Sequence, residues 1–161
     1  MTIYFATDHS GLTLKDELLL YVRDELGCAV EDCGTHHHDP EDDYPDFVQV
    51  AAEKVAAAPM EHRAIIIGAS GQGEAMVANR YKGVRAAVYY GAPATVQTDA
   101  EGQKLSMIAS SRLHNDANVL SLAARFITTE EAKAVVKEWL QIKFSGAPRH
   151  VRRIKKIDSL T

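Results

Sequence analysis

Cysteine is scarce in this chain: Cys28 and Cys33 are the only two in 161 residues, and their spacing matches no metal-ligand pattern. That argues against a disulfide framework and for reduced thiols in a cytoplasmic setting. No apolar run is long enough to span a membrane. Met1-Thr2 leads straight into a strand pattern, without the charged and apolar regions of a signal peptide. Positive charge is not in excess. Lys and Arg number 18 against 22 Asp and Glu, a net charge of −4, so no overall nucleic-acid footprint is expected. Neither a dinucleotide fingerprint nor a Walker A sequence occurs, which disfavours a nucleotide-binding flavodoxin-like module. Internal repeats, low-complexity tracts and linkers are missing as well. The composition, 46% hydrophobic and 25% charged, is that of a soluble globular protein, with one domain spanning 1–161.

Strand and helix patterns alternate along that domain. Ile3 to Thr7 reads as a first strand ending at Asp8, and Leu14, Leu18, Val22 and Leu26 mark one face of a helix that stops at Gly27. Ala29 to Asp32 is a second strand. A polar loop from Gly34 to Asp43 follows, and Pro45 opens a helix with Phe47, Val50, Ala51 and Val55 inward. Ala64 to Ile67 is a third strand, followed by a helix from about Glu74 to Asn79. Val84 to Tyr90 is a fourth strand, Ala92 to Arg112 a longer, partly helical connection, and Asn118 to Leu122 a fifth strand. Thr128 or Thr129 caps a helix through Ile142, Gly146-Ala147-Pro148 breaks it, and a basic tail closes the chain. The alternation predicts an α/β fold: a three-layer αβα sandwich, a Rossmann-like five-stranded parallel sheet with a C-terminal helical tail. Ligands of such sheets bind beyond the carboxyl ends of the strands. Those ends carry Asp8-His9, Gly34-Thr35, Gly68 to Gly73 and Tyr90-Gly91.

The stretch Ile65 to Glu74 is the most informative. A β-branched run ends in the turn Gly68-Ala69-Ser70-Gly71-Gln72-Gly73, and Glu74 follows. Glycine lets backbone approach a ligand, and unpaired N–H groups at a helix start attract an anion or a developing oxyanion. A carboxylate there suits proton abstraction beside a carbonyl. A first-turn Glu favoured by the helix dipole fits the spacing equally well. His36-His37-His38 reads as a surface loop, because adjacent histidines point apart and rarely chelate one ion.

Six blocks, in order and over nearly the whole chain, resemble the ribose-5-phosphate isomerase B family, which includes the galactose-6-phosphate and allose-6-phosphate isomerases. They are Asp8-His9-Ser10-Gly11; Asp32-Cys33-Gly34-Thr35 with Asp43-Tyr44-Pro45; Gly68 to Glu74 with Ala78-Asn79-Arg80; Gly83-Val84-Arg85-Ala86; His114 to Leu120; and Arg149-His150 with Arg153. The resemblance implies aldose–ketose isomerisation of a phosphorylated sugar through a cis-enediolate, without cofactor or metal. The expected substrate is ribose 5-phosphate. Allose or galactose 6-phosphate, a tetrose 4-phosphate, and a non-catalytic sugar-phosphate sensor are the alternatives.

Many relatives place a Cys where this chain has Gly68. Another branch carries a Glu after the glycine loop, and Glu74 matches it, so the resemblance assigns Glu74 as base. His114 is the candidate for opening the cyclic sugar, with Asp8 as its partner or as a ligand of sugar hydroxyls. Asp8 also suits helix capping. Ser70, Gly71, Gln72, Gly73, Tyr44 and Asn115 are expected to contact the sugar. Ser70 in a tight turn also suits local bonding, and Tyr44 before Pro also suits a turn anchor. His9, Arg125, Arg149 and Arg153 are the phosphate set, guanidinium forks fitting phosphate oxygens. Arg149 and Arg153 share a face if the tail is helical. The resemblance implies that the tail, 146–161, packs on a partner subunit, giving a homodimer with shared active sites, pairing into tetramers left open. On composition alone a solvated basic face is the other reading of the tail. The segment Ala92 to Ser111 is about ten residues longer than is usual in the family, and loops accept such insertions.

Overall fold

The computed structural model describes every residue except Val96, Glu101, Gln103 and Thr161. The main sheet is built from β1 (Thr2–Thr7), β2 (Ala29–Asp32), β3 (Arg63–Gly68), β4 (Ala86–Tyr89) and β7 (Val119–Ala123). Its order is β2-β1-β3-β7-β4, and all four pairings are parallel. The register sets Phe5 opposite Ile65 and Ile65 opposite Leu120. Strands β5 (Gln97–Thr98) and β6 (Lys104–Leu105) form a separate antiparallel pair. The helices are α1 (Leu12–Leu20), α2 (Tyr44–Ala57), α3 (Gln72–Ala78), α4 (Met107–Asn115), α5 (Thr129–Gln141) and α6 (Pro148–Asp158).

Side-chain alternation along the strands divides the core in two. Ile3, Phe5, Ile65, Ile67, Leu120 and Leu122 face α1, the helical turn Tyr21–Glu25 that continues it, and α5, where Leu14, Leu18, Val22, Val136 and Trp139 meet them. Tyr4, Ala6, Ala64, Ile66 and Val119 face α2, meeting Val48, Ala51 and Val55. The inner strands are therefore covered on both faces, as the apolar run Ala64 to Ile67 predicts. Thr128 caps α5 by accepting from the Glu131 N–H at 3.1 Å. Among the described residues, no helix is long and apolar enough to cross a membrane.

Val50, expected to face inward on α2, is exposed, and three further local expectations change. The fourth strand is shorter than Val84 to Tyr90, because Val84 closes a turn onto the Tyr81 carbonyl and Arg85 is bonded to Asn118. The connection from Ala92 to Arg112 holds a hairpin before its helix, anchored on α5: Ala92 N–H donates to Glu131 at 3.2 Å and the Ser106 hydroxyl to Glu138 at 2.6 Å. Val96, Glu101 and Gln103 of that segment lie outside the described residues. Third, the helical part of that connection runs past Arg112, so that His114 and Asn115 form the last turn of α4. Asp116, at φ 44°, ends that helix in the left-handed region, an uncommon conformation for a residue other than glycine.

Asp116 can hold that conformation because two arginines clasp it. Arg112 Nη1 reaches Asp116 Oδ1 at 2.8 Å and Arg85 Nη2 reaches Oδ2 at 3.2 Å. Arg112 also donates to the Ala117 carbonyl at 2.6 Å, and Arg85 Nε to the carbonyls of Asn115 at 3.0 Å and Asp116 at 3.1 Å. All three side chains are buried. Removing one partner of a buried charge network leaves the others uncompensated, which typically costs about 3–5 kcal/mol. Asp116→Ala is therefore expected to lower the melting temperature by roughly 10 °C in a chain of this size. A shift under about 2 °C in a thermal melt would show that the clasp adds nothing to stability.

Candidate active site

Asp8 and His9 leave the carboxyl end of β1. Asp8 is buried and caps a short 3-10 turn, its Oδ1 accepting from the Ser10 N–H at 2.9 Å and from the Ser10 hydroxyl. His9 is tied to Asp42, in the loop before α2, by two bonds to one oxygen. Its backbone N–H donates to Asp42 Oδ1 at 3.1 Å, and its Nδ1 lies 2.6 Å from the same atom. The Asp42 bond raises the His9 pKa above the ordinary imidazole value, and the Asp8 charge adds to this; partial desolvation and the Arg125 charge oppose it. Asp8, His9 and Asp42 offer donor atoms within 4.8 Å of one another, a spacing a metal ion could use. Within that cluster Asp42 bonds His9, and Ser10 bonds Asp8.

The glycine loop joins β3 to α3. Gly71 takes φ 71°, which glycine adopts freely, and its carbonyl accepts from the Ser121 hydroxyl at 2.6 Å. Ala69 needs no positive φ, so its methyl group does not strain the turn. Beyond β7, Ala124 N–H bonds the Gly68 carbonyl at 2.9 Å and Arg125 N–H the Ala69 carbonyl at 3.2 Å, which brings exposed Arg125 beside the loop. Tyr44 packs over Gly73, where a Cβ would strike its ring. Ser70 Oγ receives the Gln72 N–H at 3.4 Å, a weak local turn bond.

Glu74 is 4% exposed. Its carboxyl group lies directly over Gly68, in the volume that any side chain at position 68 would occupy. Gly68 and Glu74 are therefore alternatives to a larger residue at the end of β3: the strand gives up its side chain and the helix supplies one. Burial raises the Glu74 pKa, its own backbone N–H partly offsets this, and the Asp8 charge raises it further. Both effects make the neutral carboxylic acid easier to hold than the carboxylate.

His114, Asn115 and Arg149 gather elsewhere. Their helix turn lies just before Asn118, which is bonded to Arg85 at the amino ends of β7 and β4. Glu74 follows the carboxyl end of β3, so the length of a strand, about 15 Å, separates the two groups along the sheet. The His114 ring stacks on His150 of α6, centroids 4.3 Å apart and planes 10° from parallel. Arg149 Nε donates to His150 Nε2 at 3.2 Å. Arg153 is exposed on the same helix.

The structure thus brings Asp8, His9, Tyr44, Ser70, Gly71, Gln72, Gly73, Glu74 and Arg125 to one edge, and His114, Asn115 and Arg149 to the other. Sequence reasoning missed Asp42 and His150 as contacts of site residues. Each sat inside a quoted block or beside one, but only the fold shows what it touches.

The raised Glu74 pKa has a consequence for stability. A group whose folded pKa exceeds its unfolded value stabilises fully below the unfolded pKa and loses that contribution as pH rises through the folded one. Glu74→Gln, a neutral isostere, should melt higher than the parent at about pH 8, and the gap should vanish near pH 4. An equal gap at both pH values would show that burial does not penalise the carboxylate.

The profile of the family described as Ribose/Galactose Isomerase matches residues 3–157. The chain is similar to ribose-5-phosphate isomerase B of Mycolicibacterium paratuberculosis, 34% identical over 154 residues, covering 96% of this chain and 87% of that protein. It is 37% identical to the probable ribose-5-phosphate isomerase B of Mycoplasma genitalium over 155 residues, covering 96% and 92%. The crystal structure of the Mycoplasma genitalium isomerase with bound ribulose-5-phosphate superimposes with a TM-score of 0.85 at 36% identity, covering 99% of this chain and 95% of that one. Ribose-5-phosphate isomerase B of Clostridium thermocellum superimposes with a TM-score of 0.82 at 36% identity, covering 99% and 97%.

Proposed function

The chain belongs to the ribose/galactose isomerase family, and from that premise we propose that it interconverts ribose 5-phosphate and ribulose 5-phosphate with Glu74 as the base. The observation that carries the assignment is the buried Glu74 carboxyl over Gly68, at the carboxyl end of the central strand. In the open-chain aldose Glu74 removes the proton from C2, and the electron pair forms the C1–C2 double bond of a cis-enediolate. The C1 carbonyl pair moves onto O1, the hydroxyl proton passes from O2 to O1, and Glu74 returns its proton to C1 as the C2 oxygen becomes the ketone. A base with a pKa raised towards neutrality both accepts and returns a proton readily. The loop N–H groups and Ser70 hold the developing oxyanion. Asp8 and Tyr44 hold sugar hydroxyls, and His9 and Arg125 the phosphate.

His114 and Asn115 sit at the opposite edge of their own sheet, so they serve a second copy. The reading is a homodimer in which His114, Asn115, Arg149 and Arg153 of one subunit complete the Glu74 site of the other. His114 there moves a proton between ring oxygen and anomeric hydroxyl, a step suited to imidazole at neutral pH. Exposed Met76, Tyr90 and Met107, close to the edge strand β4, are apolar surface that such an interface would cover.

Two measurements test this. In deuterated water with EDTA, the parent should convert ribose 5-phosphate to deuterated ribulose 5-phosphate, and Glu74→Gln should lose about a thousandfold in kcat, within the range of general acid–base groups. Retained turnover in that variant removes Glu74 from the chemistry. Mixing inactive Glu74→Gln with inactive His114→Ala and re-forming dimers should restore about a quarter of parental activity, since half the dimers are mixed and each has one intact site. No restoration on mixing would place both residues in one subunit's site.

A further inference from the structure

Among the described residues no hydrogen bond or ion pair joins Asp42 to the glycine loop, and the isomerisation described above gives it no task. Yet its side chain is only 9% exposed, and among the described residues His9 is its one ion-pair partner. Oδ1 takes both His9 bonds, and Oδ2 is buried without a hydrogen-bond partner. A buried carboxylate with one free oxygen is costly unless a cation faces it. The group that faces it here is His9. Bonded through Nδ1, the imidazole has Nε2 as its remaining nitrogen, and Nε2 carries a hydrogen to donate in the protonated ring. The groups around the ring are Asp8 on its own segment, Asp42 before α2, Arg125 after β7, and the edge of His38 with centroids 5.6 Å apart.

We propose that Asp42 is a positioning residue for phosphate binding: it anchors His9 at two points and supplies the counter-charge that keeps the ring an imidazolium, with Nε2–H directed to a phosphate oxygen. This rests on the reading of His9 as a phosphate ligand. It explains why a buried carboxylate lies next to an anion site, where its charge would otherwise repel the ligand. The negative charge is spent on the imidazole, and the His9–Asp42 pair together with Arg125 presents net positive charge to the phosphate. The raised His9 pKa agrees with that arrangement.

Asp42→Asn separates charge from geometry, because an amide oxygen still accepts from Nδ1–H but carries no charge. Asp42→Ala removes both. KM for ribose 5-phosphate and the inhibition constant of inorganic phosphate would be measured for parent and variants from about pH 6 to about pH 9, and compared as ratios so that titration of the phosphate itself cancels. Asn should raise both constants about tenfold at the alkaline end, with kcat within about threefold, and the gap should close near pH 6, where the ring protonates without help. Ala should keep a deficit at every pH. A pH-independent loss in the Asn variant, or a fall in kcat with KM unchanged, overturns the proposal. If the parent does not turn over ribose 5-phosphate, calorimetric binding of inorganic phosphate decides the point separately, since the same pH-dependent gap supports the role of Asp42 and equal binding refutes it. If the variants do not fold, NMR titration of His9 in the parent decides, and a midpoint at or below the ordinary imidazole value is the refuting result.

Discussion

A parallel sheet covered by helices on both faces leaves polar side chains almost nowhere to go but its two edges. The core strands of this protein carry Ile, Ala, Val and Leu on both sides, so nothing along their length can hold a charge without burying it in hydrocarbon. Backbone N–H groups run out at the carboxyl edge, where the strands pass into helix starts. Asp8, His9, the glycine loop and Glu74 all lie within one or two turns of that edge. The arrangement of the site is thus a consequence of how the sheet is covered.

Within the edge, charge is handled in two opposite ways. Glu74 is packed against Gly68 with little to bond it, so desolvation favours its neutral form. His9 is held by a carboxylate, so its charged form is favoured despite partial burial. One group is made a better proton acceptor near neutrality and the other a more durable cation. A proton-transfer reaction on an anionic substrate needs both. The two states are compatible because Asp42, rather than Glu74, takes the ion pair with His9.

The opposite edge is organised by the clasp of Arg85, Asp116 and Arg112. Its bonds run to the carbonyls of Asn115, Asp116 and Ala117, so it fixes the direction in which α4 ends and hence where His114 and Asn115 face. A buried ion network is a weak source of net stability, yet it is demanding about geometry, and geometry is what an exposed helix end requires. The stack of His114 on His150 then couples α4 to the tail helix that carries Arg149.

Local pattern was enough for much of this. The β-branched run before Gly68 and the spacing of Leu14, Leu18 and Val22 report burial residue by residue, so the alternation of strands and helices, the parallel sheet and the glycine turn were legible in the amino acids. Even the exchange of a side chain at position 68 for Glu74 could be read from the resemblance to a family branch. Three things could not. The pairing of His9 with Asp42 spans 33 residues, and the bond of Arg85 to Asp116 spans 31, distances over which no periodicity carries information. The placement of His114 depends on where a helix stops, and that stop is enforced by Arg85 and Arg112, whose common partner Asp116 is shown only by the fold. The order of strands β2-β1-β3-β7-β4 decides which ends become neighbours. Composition and spacing record what each residue will bury, whereas only the folded sheet determines which charges meet, because that depends on chain crossings that leave no mark in the local sequence.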